Sequence, residues 1–156
     1  MVDKQFMEKA IQLAVDNVKA LGGGPFGAIV VRDGEIVGIG KNQVTTTNDP
    51  TAHAEVQAIR DACTKLNTYQ LTDCELYTSC EPCPMCLGAI YWARPKAVYF
   101  ASTKEDAAKA GFDDHFIYEE IDLPKEKRKI PMHKLTLPIE TLPFDTWEKL
   151  DLRTEY

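Results

Sequence analysis

Four side chains in two short segments carry the chemistry that this sequence offers. They are His53 and Glu55 in Thr51-Ala52-His53-Ala54-Glu55, and Cys83 and Cys86 in Cys80-Glu81-Pro82-Cys83-Pro84-Met85-Cys86. One imidazole and two thiolates form a donor set suited to a single zinc ion per chain. A tetrahedral ion with three protein ligands keeps its fourth position for water, and coordination lowers the pKa of such a water to about 7. Hydrolysis then needs an acid/base group nearby. Glu55, two residues from His53, is the candidate proton carrier.

Each segment opens a helical stretch. Unpaired N–H groups and the macrodipole at a helix start favour thiolate, the form that binds zinc. Pro82 and Pro84 suit such a start, where a missing N–H costs little. Cys83 and Cys86, three apart, share one helical face. His53 and Glu55 do not, because two residues turn a regular helix by about 200°. His53 is therefore expected in an irregular first turn.

Other readings use the same residues. A lone Cys83-x-x-Cys86 is also a redox pattern, against which the intervening Pro-Met and the lack of thioredoxin-like surroundings weigh. A closed structural zinc site needs a fourth donor, from Cys80, Cys74, His115 or His133. Cys80-x-x-Cys83 competes with Cys83-x-x-Cys86, and Pro82 directly before Cys83 favours the latter. Cys63 and Cys74 read as small buried hydrophobes.

The elements that must position these groups follow from periodicity and breakers. Residues 3–21 place Phe6, Ala10, Leu13, Ala14, Asn17, Val18 and Leu21 on one helical face, and Gly22-Gly23-Gly24-Pro25 ends it. Residues 26–31 and 35–41 read as two strands joined by an Asp33-Gly34 hairpin turn. A polar loop leads to a helix over about 51–65. Strands follow at 74–78 and 97–101, with a helix over 83–93 between them. Residues 104–120 read as helix broken near Gly111, 132–137 as a fifth, edge strand, and 144–152 as a last helix. Helices alternating with strands predict an α/β domain around a mixed five-stranded sheet. Prolines 124, 131, 138 and 143 mark residues 131–156 as a separately docked segment of one domain spanning 1–156.

Composition narrows the partners. The 156 residues are 44% apolar and 27% charged, close to the globular average. Acids outnumber bases 24 to 18, giving a net charge of −6, which disfavours a nucleic-acid substrate gripped through its phosphates. The basic run 125–129 is interleaved with Glu126 and reads as a solvated loop. No apolar run approaches the ~20 residues of a membrane span. The start MVDKQFMEKA lacks a signal-peptide pattern. Clustered cysteines without a secretory signal fit a reducing compartment, so a cytoplasmic protein is expected.

His53-Ala54-Glu55 followed by Pro82-Cys83-Pro84-Met85-Cys86 matches the H-x-E…P-C-x-x-C pattern of the cytidine-deaminase-like zinc deaminases. The α-β-β-α-β-α-β order over about residues 1–120 resembles that family's three-layer α/β/α sandwich. Residues 23–28, 48–55, 77–98 and 110–114, with Glu155-Tyr156, more closely resemble the bacterial guanine deaminases of this fold. The resemblance implies zinc held by His53, Cys83 and Cys86, Glu55 as proton shuttle, and Cys80 as no ligand. It also implies a purine pocket formed by Phe26, Asn42, the Ala54 backbone, Trp92, Asp114 and Tyr156, with guanine as substrate. It further implies a homodimer, in which the C-terminal segment caps the pocket or docks on a partner subunit. An Asn amide offers a donor and an acceptor to a base edge. A carboxylate at Asp114 suits the N–H groups that guanine presents around N1 and C2. Other deaminases of this fold, acting on cytosine, a nucleoside or tRNA adenosine, remain the alternative, beside a structural zinc module without turnover.

Overall fold

The structure is a computed structural model that describes residues 3–156. It divides after His115 into two units. The first opens with helix α1 (Lys4–Lys19), capped by the Asp3 carboxylate, which accepts from Gln5 N at 2.9 Å. Strands β1 (Gly27–Arg32) and β2 (Glu35–Lys41) form an antiparallel hairpin whose two turn residues, Asp33 and Gly34, both have positive φ. A two-residue hairpin loop needs that conformation to follow the strands' twist, and Asp-Gly tolerates it.

A short α2 (Val44–Thr47) and α3 (Ala54–Leu66) precede β3 (Glu75–Cys80), and α4 (Pro84–Ala93) connects β3 to β4 (Ala97–Ser102). The sheet order is β2-β1-β3-β4, antiparallel except for the β3–β4 pair. The mixed α/β sheet is thus as expected, but it has four strands.

Alternation along β1 sorts the core into two layers. Ala28 and Val30 pack with Ala54, Ala58 and Ala62 of α3 and Ile90 and Ala93 of α4. Ile29 and Val31 face the other way, toward Ala10 of α1, Tyr77 and the rings of Phe6 and Tyr99. Alanines on the inner face of α3 let its backbone lie close to β2. At Gly40 a Cβ would collide with the Ala54 carbonyl and Ala58 N, and at Gly38 it would come within 2.6 Å of the Ala58 carbonyl. Gly40→Ala is therefore expected to push α3 off the sheet and destabilise the fold by about 2 kcal/mol or more. A thermal melt should show a drop of roughly 4–8 °C. An unchanged Tm would mean that the helix can shift freely.

The first unit continues with α5 (Lys104–Lys109), opened by a reciprocal cap between Thr103 and Asp106, and breaks at Gly111, where φ is +92°. Helix α6 (His115–Asp122) begins at the division. In the second unit, Arg128 donates to the Ile121 and Leu123 carbonyls at 3.0 and 3.2 Å, capping the end of α6 with a cation. A 3-10 turn (Lys125–Lys127) and α7 (Leu142–Glu148) complete it.

The fifth strand expected at 132–137 is not formed. Met132 N donates to the Lys125 carbonyl and Leu137 N to Glu140 Oε2, both at 3.1 Å, so these amides are satisfied locally rather than on a ladder. Pro131 and Pro138 bracket the run. Alternation creates an apolar face, but a strand also requires a neighbour's hydrogen bonds.

Candidate zinc and acid/base site

The site is built where two helices start. His53 caps α3 with extended backbone (φ −72°, ψ 156°), and Cys83 caps α4 in the same conformation (φ −67°, ψ 168°). The irregular position expected for His53 is thereby found. Outside the helix, its side chain is released from the 100°-per-residue rotation that would separate it from Glu55 in the first turn. Cys83 likewise lies outside its helix, its Sγ accepting from Cys86 N at 3.5 Å, and Pro84 takes the first helical position.

His53 Nδ1 lies 3.5 Å from Cys83 Sγ and 3.4 Å from Cys86 Sγ. A tetrahedral zinc ion, at about 2.3 Å from sulfur and 2.0–2.1 Å from nitrogen, separates such donors by roughly 3.6 Å. The three side chains therefore fit the metal. Among the described residues this is the one metal-suited group of three or more His, Cys, Asp or Glu, and Cys80 is not in it. The Cys80 thiol instead donates to the Thr103 carbonyl at 3.5 Å, and burial pushes its pKa up to about 11. Cys74, similarly raised to about 11 by burial, donates to Asp73 Oδ1 at 3.4 Å. Among the described residues no fourth His, Cys, Asp or Glu joins the group.

The electrostatics favour a bound cation. The hydrogen bond from Cys86 pulls the Cys83 thiol down to about 4, with His53 adding to it against burial. The same pairing with Cys83, then burial, pushes Cys86 up. His53 is raised by its bond to Cys83. Two helix starts aimed at the pair add to the stabilisation of negative sulfur.

Glu55 is 5% exposed, and burial pushes its carboxyl above the usual carboxylate range. Its Oε2 accepts from Cys86 Sγ at 3.4 Å, and its Oε1 lies 3.2 Å from Thr78 Oγ1. A buried carboxyl that touches the metal-ligand group is suited to holding and releasing a proton.

The expected pocket residues fall into two sets. Ala54 is fully buried between His53 and Glu55. Asn42 N donates to the Phe26 carbonyl at 3.2 Å, and Gln43 N to the Ala52 carbonyl at 2.9 Å, so Phe26 and Asn42 are tied by backbone to the approach to His53. Phe26 also packs edge-on against Phe112, with ring centroids 5.1 Å apart. Partly buried Asp114 is raised by burial and then by the charge of Cys83, which places it in that residue's field.

The other two expected residues are exposed. Trp92 is 63% exposed, about 9 Å along α4 from Cys86. Tyr156 is 72% exposed in the second unit.

The Asn42 amide does less than its type allows. Its Oδ1 accepts from Gly24 N and Val44 N, both at 3.2 Å, so the oxygen is engaged within the protein. Two further residues escaped the sequence. Buried Asn17 donates from Nδ2 to the Gly24 and Asn42 carbonyls at 2.9 and 2.8 Å, bracing the loop before Phe26. Its signal was a lone polar residue in an apolar helix stripe. Thr78 left no signal, since a threonine within a strand is ordinary.

Residues 1–102 match the model of the cytidine and deoxycytidylate deaminase zinc-binding region. The chain belongs to that family of zinc deaminases. It is 59% identical to guanine deaminase of Bacillus subtilis over the whole of both sequences. The X-ray structure of Bacillus subtilis guanine deaminase superposes with a TM-score of 0.98, covering 100% of this chain and 99% of that one. A guanine deaminase structure from Nitrosomonas europaea matches with 34% identity and a TM-score of 0.69, over 72% of this chain and 65% of that one. A tRNA-specific adenosine deaminase of Haemophilus influenzae is 39% identical over 73% of this chain and 66% of its own length.

Proposed function

We propose that this chain is a zinc-dependent guanine deaminase that converts guanine and water to xanthine and ammonia, with His53, Cys83 and Cys86 holding the metal. Zinc, when bound, supplies Lewis acidity toward water at its open position. Glu55 takes a proton from the attacking water and delivers it to a ring nitrogen, which makes C2 electrophilic. Carrying the second proton to the amino group, it lets ammonia leave. The observation that carries the reading is the buried Glu55 carboxyl against the His53, Cys83 and Cys86 group, in a chain so similar to a guanine deaminase along its full length.

In the pocket, Asn42 Nδ2 donates to the O6/N7 edge and the Asp114 carboxylate accepts from the N–H groups around N1 and C2. The Ala54 backbone bonds the base, Phe26 and Trp92 pack on it, and Tyr156 closes it from the C-terminal segment. That segment, 131–156, caps the pocket or docks on the partner of a homodimer. Its Leu135, Ile139, Phe144 and Leu152, with Ile130 just before it, are all exposed and apolar. No described helix is long and apolar enough to cross a membrane. Five unpaired cysteines suit a reducing cytoplasm, and the acidic balance suits a free base rather than nucleic acid.

Ammonia release from a panel of guanine, adenine, cytosine, their nucleosides and tRNA tests the substrate. Guanine should exceed every other free base by at least about 10²-fold in kcat/KM. Turnover of tRNA with none on any free base would overturn the reading.

A further inference from the structure

The geometry points to Thr78 as the positioning residue for the Glu55 carboxyl. It is 1% exposed on an interior strand, its backbone paired with Ala28 on one side and Phe100 on the other. Two residues from Leu76 along β3, its side chain lies on the face that meets α3 and α4. A hydroxyl on that apolar face costs stability unless its hydrogen bonds are made.

They are made to two acceptors. Thr78 Oγ1 lies 3.2 Å from Glu55 Oε1 and 3.1 Å from the Cys80 carbonyl oxygen. One hydroxyl proton serves one acceptor at a time. Turned to Glu55, it donates to a carboxylate. Turned to the Cys80 carbonyl, it leaves a lone pair for a proton on Glu55. The carboxyl thus keeps a partner both with and without the proton that the proposed reaction makes it carry, while the stiff β-branched side chain stays in place. The Cys80 carbonyl belongs to the strand end that leads directly to Cys83, so the same hydroxyl ties the proton carrier to the metal-ligand segment.

This inference rests on the proposed role of Glu55, and hydroxyl-present and hydroxyl-absent pairs of matched shape test it. Thr78→Val keeps the shape of Thr without the hydroxyl, and Thr78→Ala lacks it where Thr78→Ser retains it. Guanine kinetics, zinc content and Tm are measured for each. Losing a bond to a group that changes charge should lower kcat by about 10- to 100-fold in Thr78→Val relative to wild type, with KM and zinc content unchanged. Thr78→Ser should hold kcat within about threefold of wild type and exceed Thr78→Ala by about 10-fold or more. If Thr78→Val does not fold, the Ser and Ala pair decides. Equal kcat within the folded pairs, or a fall that tracks zinc loss, would overturn the assignment. A Glu55→Gln variant measured alongside separates the two readings. Turnover retained there removes Glu55 itself, whereas an inactive Glu55→Gln with equal hydroxyl pairs removes only Thr78.

Discussion

Glu55→Gln is expected to keep its zinc and lose nearly all turnover, a fall of at least about 10²- to 10⁴-fold in kcat. The substitution preserves volume in a closely packed place, where the carboxyl is 5% exposed and lies between Thr78 Oγ1 and Cys86 Sγ. An amide can occupy that space and hydrogen-bond to both, so folding and metal content should survive. What it cannot do is accept a proton from water and pass it on. Metal analysis of the purified variant beside steady-state guanine kinetics checks the expectation. A metal-replete variant with substantial activity would take Glu55 out of the proton path and leave the chemistry without a carrier.

The second large effect follows from removing a ligand. Cys83→Ala should lose bound zinc and activity together, because the remaining His53 and Cys86 are a poor two-donor site. Metal that binds only the folded chain also stabilises it. At a thousandfold excess over Kd this contributes about 4 kcal/mol, or roughly 8–16 °C in Tm for a chain of this size. Chelation of the wild-type protein should reproduce that loss, and zinc should reverse it. Cys80→Ala is the matched control. Its thiol is held by the Thr103 carbonyl rather than by the metal-ligand group, so zinc content should stay at one per chain. Zinc lost in Cys80→Ala but retained in Cys86→Ala would mean that Cys80-x-x-Cys83 is the binding pair after all.

Much of this was legible because it is local. The donor types, the three-residue cysteine spacing and the flanking prolines need no distant partner to be read, and neither does the Asp33-Gly34 hairpin, whose two residues adopt positive φ. The missing edge strand marks the limit of that kind of reading. Residues 132–137 alternate as a strand would, yet pairing depends on a neighbour that periodicity does not name, and the amides of Met132 and Leu137 bond locally instead.

The amino-acid order by itself determined which side chains can do chemistry here and which elements carry them: an imidazole and a carboxyl at the start of one helix, two sulfurs at the start of another. Only the tertiary structure decided that these starts meet, bringing residues 30 and 33 apart in sequence to 3.5 and 3.4 Å. It also decided that the Asn42 amide oxygen is engaged within the protein, taken by Gly24 N and Val44 N. Thr78 comes to Glu55 in the same way, across 23 positions. The reason is physical. Propensity, capping and turn chemistry act between near neighbours, whereas a side chain's hydrogen-bonding role is settled by whichever groups packing sets against it.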